Sequence, residues 1–192
     1  EGLNDGDTFI CNHPYEGNLP HLPDMAFITP VFHEGVLVAF TASIAHKADM
    51  GGAVPGSTWG QATDLFQEGL LIPPVNIIRQ HKIDGDLERI IAANSRAAEL
   101  VLGDMHGQIG VIRIGCNGVK HLCQQYGTKI FLEAFNSIIN SAALRFRTAI
   151  KRLPNGKHRS EGFMDDDGIT TDTPVKLDVR IVVNEGLITF DF

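Results

Sequence analysis

The stretch from Met25 to Ile44 constrains this chain more than any other. It consists of two apolar runs, Met25 to Val31 and Val36 to Ile44, separated by His33-Glu34-Gly35. Gly35 can supply the positive φ that a tight turn requires, so residues 25 to 46 are read as a β-hairpin. The apolar character is nearly continuous along both runs, which predicts burial on both faces. Thr8 to Cys11 is a shorter run that ends in the turn-rich Asn12-His13-Pro14-Tyr15. Residues 49 to 60 carry four Gly and one Pro and are read as a loop.

Helical periodicity takes over in the middle. Asp84 or Asp86 caps a helix whose stripe runs through Leu87, Ile90 and Ile91. A further helix includes Met105 to Gln124, with Asp104 as its expected N-cap; its glycines either loosen it or permit close packing. Thr128 to Arg152 has the clearest pattern. Phe131, Phe135, Ile138, Ala142, Phe146 and Ala149 recur every three or four residues and predict one buried stripe. Lys151-Arg152 suits the negative end of the helix dipole, and Pro154-Asn155-Gly156 stops the helix. Val175 to Val183 then alternates at period two, and Asn184-Glu185-Gly186 turns into a last strand, Leu187 to Phe192. The expected fold class is α+β, with mixed β-sheet elements at both ends and a central helical segment. One 1–192 fragment is expected, comprising a β-rich metal-site region (1–82), a helical region (84–153) and a β-hairpin region (157–192).

Sixteen Lys and Arg against 23 Asp and Glu give a net charge of −7, which argues against a nucleic-acid backbone binder. No apolar run approaches the roughly 18 residues of a membrane span. Three cysteines, Cys11, Cys116 and Cys123, cannot pair completely and are read as reduced thiols of a cytoplasmic protein. The start at Glu1 and the strand-like end at Phe192 predict a piece of a longer protein.

The chemistry concentrates at the two ends of the hairpin. His21 and Asp24 lie in Leu19-Pro20-His21-Leu22-Pro23-Asp24, where the prolines favour an extended, polyproline-like segment that projects both side chains from one side. His46 and Asp49 repeat the His-x-x-Asp spacing just before Gly51-Gly52. A hairpin brings its ends together, so the two pairs can meet. Two imidazoles and a carboxylate form a three-ligand set with open positions, the pattern of catalytic divalent-metal sites. The spacing alone leaves an alternative, two surface histidines with local carboxylate hydrogen bonds. Asp165-Asp166-Asp167-Gly168 lacks the later bidentate Glu of a calcium loop and is read as a solvated turn. No P-loop, G-x-S-x-G or Rossmann fingerprint occurs.

Taken in order, these strings resemble the hydantoinase B/5-oxoprolinase family. They are Asp5 to Tyr15, His21-Leu-Pro-Asp24, Thr29-Pro-Val-Phe32, Ala45-His46-Lys-Ala-Asp49-Met-Gly51-Gly52 and Glu68 to Pro74, then Asn94-Ser-Arg96, Gly103-Asp104, Leu153 to Gly156, Asp166-Asp-Gly168 and Asp191-Phe192. The resemblance implies a metal site at His21, Asp24 and His46, holding Zn²⁺, Mn²⁺ or Fe²⁺. It implies catalytic roles for His46 and for Asp49, which would orient His46 or shuttle a proton. Asn12, His13, Gly51, Gly52 and Asp104 are the implied substrate or outer-sphere residues, with the glycines letting backbone approach the substrate. It further implies a hetero-oligomer in which a hydantoinase A-type partner uses ATP and Mg²⁺ to phosphorylate a small cyclic amide for hydrolysis here. ATP-dependent carboxylation of a ketone is the alternative chemistry, and a non-catalytic structural fragment the third. The chain departs from the family pattern at His13, where an Asp is usual, and at His106-Gly107-Gln108, where Ala-Gln is usual.

Overall fold

A computed structural model describes residues 2–192; Glu1 lies outside the described residues. The chain divides into two compact units, residues 1–130 and 131–192. The first contains β1 (Thr8–Cys11), α1 (Pro14–Gly17), β2 (Asp24–His33), β3 (Val36–His46), β4 (Val75–Arg79), β5 (Lys82–Ile83), α2 (Gly85–Ala93) and α3 (Ala98–Tyr126). α4 (Thr128–Ile150) begins three residues before the boundary, and β6 (Gly156–Met164), β7 (Val175–Asn184) and β8 (Leu187–Asp191) complete the second unit. The fold class is α+β, as read from the sequence, and every strand pairing is antiparallel.

In the first unit the five-stranded sheet has the order β3-β2-β1-β4-β5. The 25–46 hairpin is present, with Glu34 (φ 50°) and Gly35 (φ 78°) forming its two-residue turn. Near the turn Phe32 faces Leu37; a β-bulge follows, so that Val31 faces Ala39 and Asp24 faces His46. α3 covers one face of this sheet. Its Val101, Met105, Ile109 and Ile112 join Ile10, Met25, Phe27, Ile77 and Ile78 in the principal core. Burial of each such side chain contributes on the order of 1.5–3 kcal/mol. Expected burial on both faces holds for β2, whereas β3 alternates between half-buried and exposed over most of its length.

Two helix expectations need correction. α3 starts at Ala98, seven residues before Met105, which places Asp104 in mid-helix rather than at the N-cap. The buried three-and-four-residue stripe carries the helix through Gly103 and Gly107, although Gly and Asp are weak helix formers. Gly115 has a packing reason, since a Cβ there would sit 3.0 Å from the Thr41 methyl. The α4 stripe is helical as predicted but not buried as predicted: Phe135, Ile138 and Phe146 are 46%, 68% and 64% exposed, and only Phe131 and Ile150 are buried.

The second unit's β6-β7-β8 sheet is a three-stranded meander, one strand more than the hairpin expected over 157–192. β6 escapes sequence reading because Lys157, His158, Arg159, Ser160 and Glu161 offer no apolar alternation. It is held instead by register and by diagonal cross-strand charge, with Arg159, which faces Arg180, reaching Asp178 through paired hydrogen bonds and Lys176 bonding Glu161 at 2.8 Å.

Candidate metal centre

Asp24 opens β2 and His46 closes β3, and the ladder sets them directly opposite each other. His21 reaches the same place by a turn. The Asp24 amide donates to the His21 carbonyl at 3.2 Å, so a reverse turn, not the extended polyproline segment expected, puts the two side chains on one side. One Asp24 carboxylate oxygen lies 3.1 Å from His21 Nε2 and the other 3.3 Å from His46 Nδ1. The two imidazole rings are 5.0 Å apart between centroids. His21 and Asp24 are half-buried and His46 is exposed.

One ligand atom from each of the three residues lies within 4.8 Å of the others. Atoms that share a cation at about 2.1 Å can be at most about 4.2 Å apart, so a fractional-ångström closure would seat a divalent ion. The donor set, two imidazoles and a carboxylate, suits Zn²⁺, Mn²⁺ or Fe²⁺ and leaves positions for other ligands. The residues present therefore fit the group.

The second His-x-x-Asp takes another course. Asp49 is buried, and its carboxylate accepts from the amides of Gly51, Gly56 and Arg96, each at 2.9 Å, and from the Arg96 guanidinium at 3.1 Å. Burial alone would raise the Asp49 pKa, but these four donors outweigh it and hold it at about 2. All of these bonds lie in its own loop and at Arg96; none goes to His46. Arg96 also donates to the carbonyls of Gly51, Gly52 and Val54, closing residues 49–56 around its side chain.

Gly51 (φ 83°) and Gly52 (φ 79°) do permit a close backbone approach, and what approaches is the chain itself. A Cβ on Gly51 would lie 2.6 Å from the Asn94 carbonyl oxygen, and one on Gly52 2.4 Å from that of Gln67. Asn12 is likewise a tether. It is fully buried, donates to the Leu22 and Leu70 carbonyls, and accepts from the Ile72 amide, pinning the His21 turn to the 70–72 segment. His13 caps α1 through Nδ1, and His106 lies 2.6 Å from Glu88. Asp104 is exposed on α3.

Sequence reading passed over Lys47 and Gln108. Lys47 is fully buried; its ammonium donates to Gln108 Oε1 and, at 3.3 Å, to the Ala45 carbonyl. Gln108 in turn donates to Met25 and Ser43. Burial pushes the Lys47 pKa down, and the charges of Asp104 and Asp24 partly oppose this. Period-two alternation was the available signal: next to a solvent-facing His46, Lys47 must point towards α3.

The family model for hydantoinase B/oxoprolinase matches residues 1–192, and the chain belongs to that family. It is 36% identical over 182 residues to a protein of Pseudomonas sp. (strain NS671) named as a component of a D-/L-hydantoinase, covering 94% of this chain and 30% of that protein. The ATP-dependent caprolactamase structure from Pseudomonas jessenii superposes with a TM-score of 0.90 at 23% identity, over 99% of this chain and 32% of that one. A nucleotide-free acetone carboxylase structure gives 0.87 at 20%, over 100% and 27%. At these identities the two structures establish the fold alone. The chain spans about a third of the length of these relatives. Among the described residues no helix is long and apolar enough to cross a membrane.

Proposed function

We propose that this chain carries the divalent-metal centre of an ATP-dependent cyclic amide hydrolase and acts on a substrate that a hydantoinase A-type partner has phosphorylated. The observation that carries the reading is the convergence of His21, Asp24 and His46 within 4.8 Å at one end of the hairpin. Family membership and the amide-hydrolase names of relatives support the reaction class.

Each residue has a separate task. Asp24 holds both imidazoles at fixed distances through its two oxygens and supplies the negative charge that a dication needs. His46, exposed at the strand end, presents the open side on which water and the activated amide meet. Lys47 and Gln108 brace β2 to β3 directly behind the ligands, and Asn12 fixes the turn that carries His21. Asp49 and Arg96 fix the backbone path after β3, so their contribution to the centre is positional. When bound, the cation supplies Lewis acidity, polarising a substrate oxygen and making water easier to deprotonate.

Elemental analysis combined with turnover of hydantoin, 5-oxoproline or a lactam by the complete ATP-using complex tests the proposal. The expected result is about one divalent ion per chain, lost together with ring opening in His46→Ala. Unchanged turnover in that variant overturns the metal role. Ketone- and bicarbonate-dependent ATP consumption in place of ring opening moves the chain to the carboxylase chemistry.

A further inference from the structure

We propose that the first unit carries a second ligand site, separate from the metal centre, for a small organic carboxylate with a compact apolar body. A cavity of about 230 Å³ opens between α3 and the β1–β2–β4 part of the sheet. That is several times the roughly 30 Å³ share of one water molecule in the liquid. Thr29 of β2 lines it, five positions from Asp24. Five steps along a strand are about 17 Å, and an odd offset turns the side chain to the opposite face. The cavity therefore does not belong to the metal-ligand cluster.

Its walls define the chemistry. Ile78, Ile109 and Ile112 provide an apolar floor, while Arg113, Lys120 and His81 provide donors. Lys120 is paired with Asp5 at 3.1 Å. Arg113 has no hydrogen bond or ion pair among the described residues, which leaves its planar fork free for a carboxylate. In a chain of net charge −7, such a local excess of positive charge runs against the average field. The apolar floor calls for an organic body on the anion and not for a bare inorganic ion.

The backbone gives an independent reason. The described residues include three two-residue hairpin turns, at Glu34-Gly35, Gln80-His81 and Glu185-Gly186, all with positive φ at both positions. Two place Gly second, the inexpensive choice for such a turn. The third places His81 there, at φ 67° after Gln80 at φ 48°. The His81 ring then lies flat against Gly6, where a Cβ would be 2.6–2.7 Å from three ring atoms. A strained conformation at one residue and a cleared space at another combine to hold an imidazole at the cavity wall, and such strain is concentrated at functional sites.

The test follows 4-fluorobenzoate by ¹⁹F NMR with the full chain, in chelator throughout so that bound metal cannot hold the carboxylate. Binding is expected, with the neutral 4-fluorobenzamide and the Arg113→Gln variant each about tenfold weaker. His81→Gly is expected to raise the unfolding temperature by a few degrees while weakening binding severalfold, a pair of changes that a purely structural histidine would not produce. Equal binding of acid and amide, full binding by either variant, or no binding at millimolar concentration overturns the proposal.

Discussion

The two His-x-x-Asp pairs are the same motif in sequence and opposite things in the fold. Asp24 is half-buried, and its partners are two imidazoles. Asp49 is buried, and its partners are three backbone amides and a guanidinium. Equal spacing brings neither equal environment nor equal task. What separates them is the backbone around each, because Asp24 begins a strand whose partner ends in His46, while Asp49 begins a loop that folds back over it.

Four measurements can break or sharpen this contrast. The largest effect is expected from Asp49→Ala, which leaves three amides and the Arg96 guanidinium short of an acceptor. Chemical denaturation should show a loss of about 3–4 kcal/mol, against about 1 kcal/mol or less for Asp24→Ala. Next, Asp24→Ala should lower affinity for Zn²⁺ or Mn²⁺ in titration calorimetry by at least about 100-fold, with Asp49→Asn within a few fold of wild type. If both variants lose metal equally, the division of labour is wrong.

The third measurement uses acid. A carboxylate held at about 2 in the folded chain against 3.8 when unfolded stabilises fully above pH 3.8, and that stability is lost as the pH falls towards 2. The contribution is about 2 kcal/mol, and an acid titration of stability in Asp49→Asn should lack it. The smallest effect belongs to Lys47→Met, between the two motifs. Removing the ammonium leaves Gln108 Oε1 without its buried donor, at about 1–2 kcal/mol. Metal affinity should stay within about threefold, and a larger loss would make Lys47 part of the metal centre.

The fold was legible where local and long-range signals agree. The hairpin over 25–46 combines two apolar runs with a turn glycine, and both strands form with the turn at Glu34-Gly35. β4 went unread because Val75-Asn76-Ile77-Ile78 is short and follows two prolines, with its identity fixed by pairing to β1 on one side and β5 on the other. The α4 stripe shows a different limit, since periodicity reports that one face is apolar but not what covers it. In the candidate centre, hairpin geometry made the meeting of Asp24 and His46 legible, whereas His21 joins them through a reverse turn in place of the extended segment that Pro20 and Pro23 suggest. The surroundings of Asp49, Gly51 and Gly52 were not legible, because their partners come from Gln67, Asn94 and Arg96, residues that no local pattern connects to them.

The bulge between Val31 and Phe32 acts as a phase shifter for the chemistry. On the turn side of it Phe32 faces Leu37, and a ladder continued in that register would set Asp24 against Ala45. His46 would then fall on the far side of the pleat, out of reach of both other ligands. One unpaired residue, Val38, advances β3 by a single step and brings the imidazole round to the carboxylate. The coordination geometry is thus encoded some eight residues from the nearest ligand. Deleting Val38 should dismantle the centre without altering any residue that touches it.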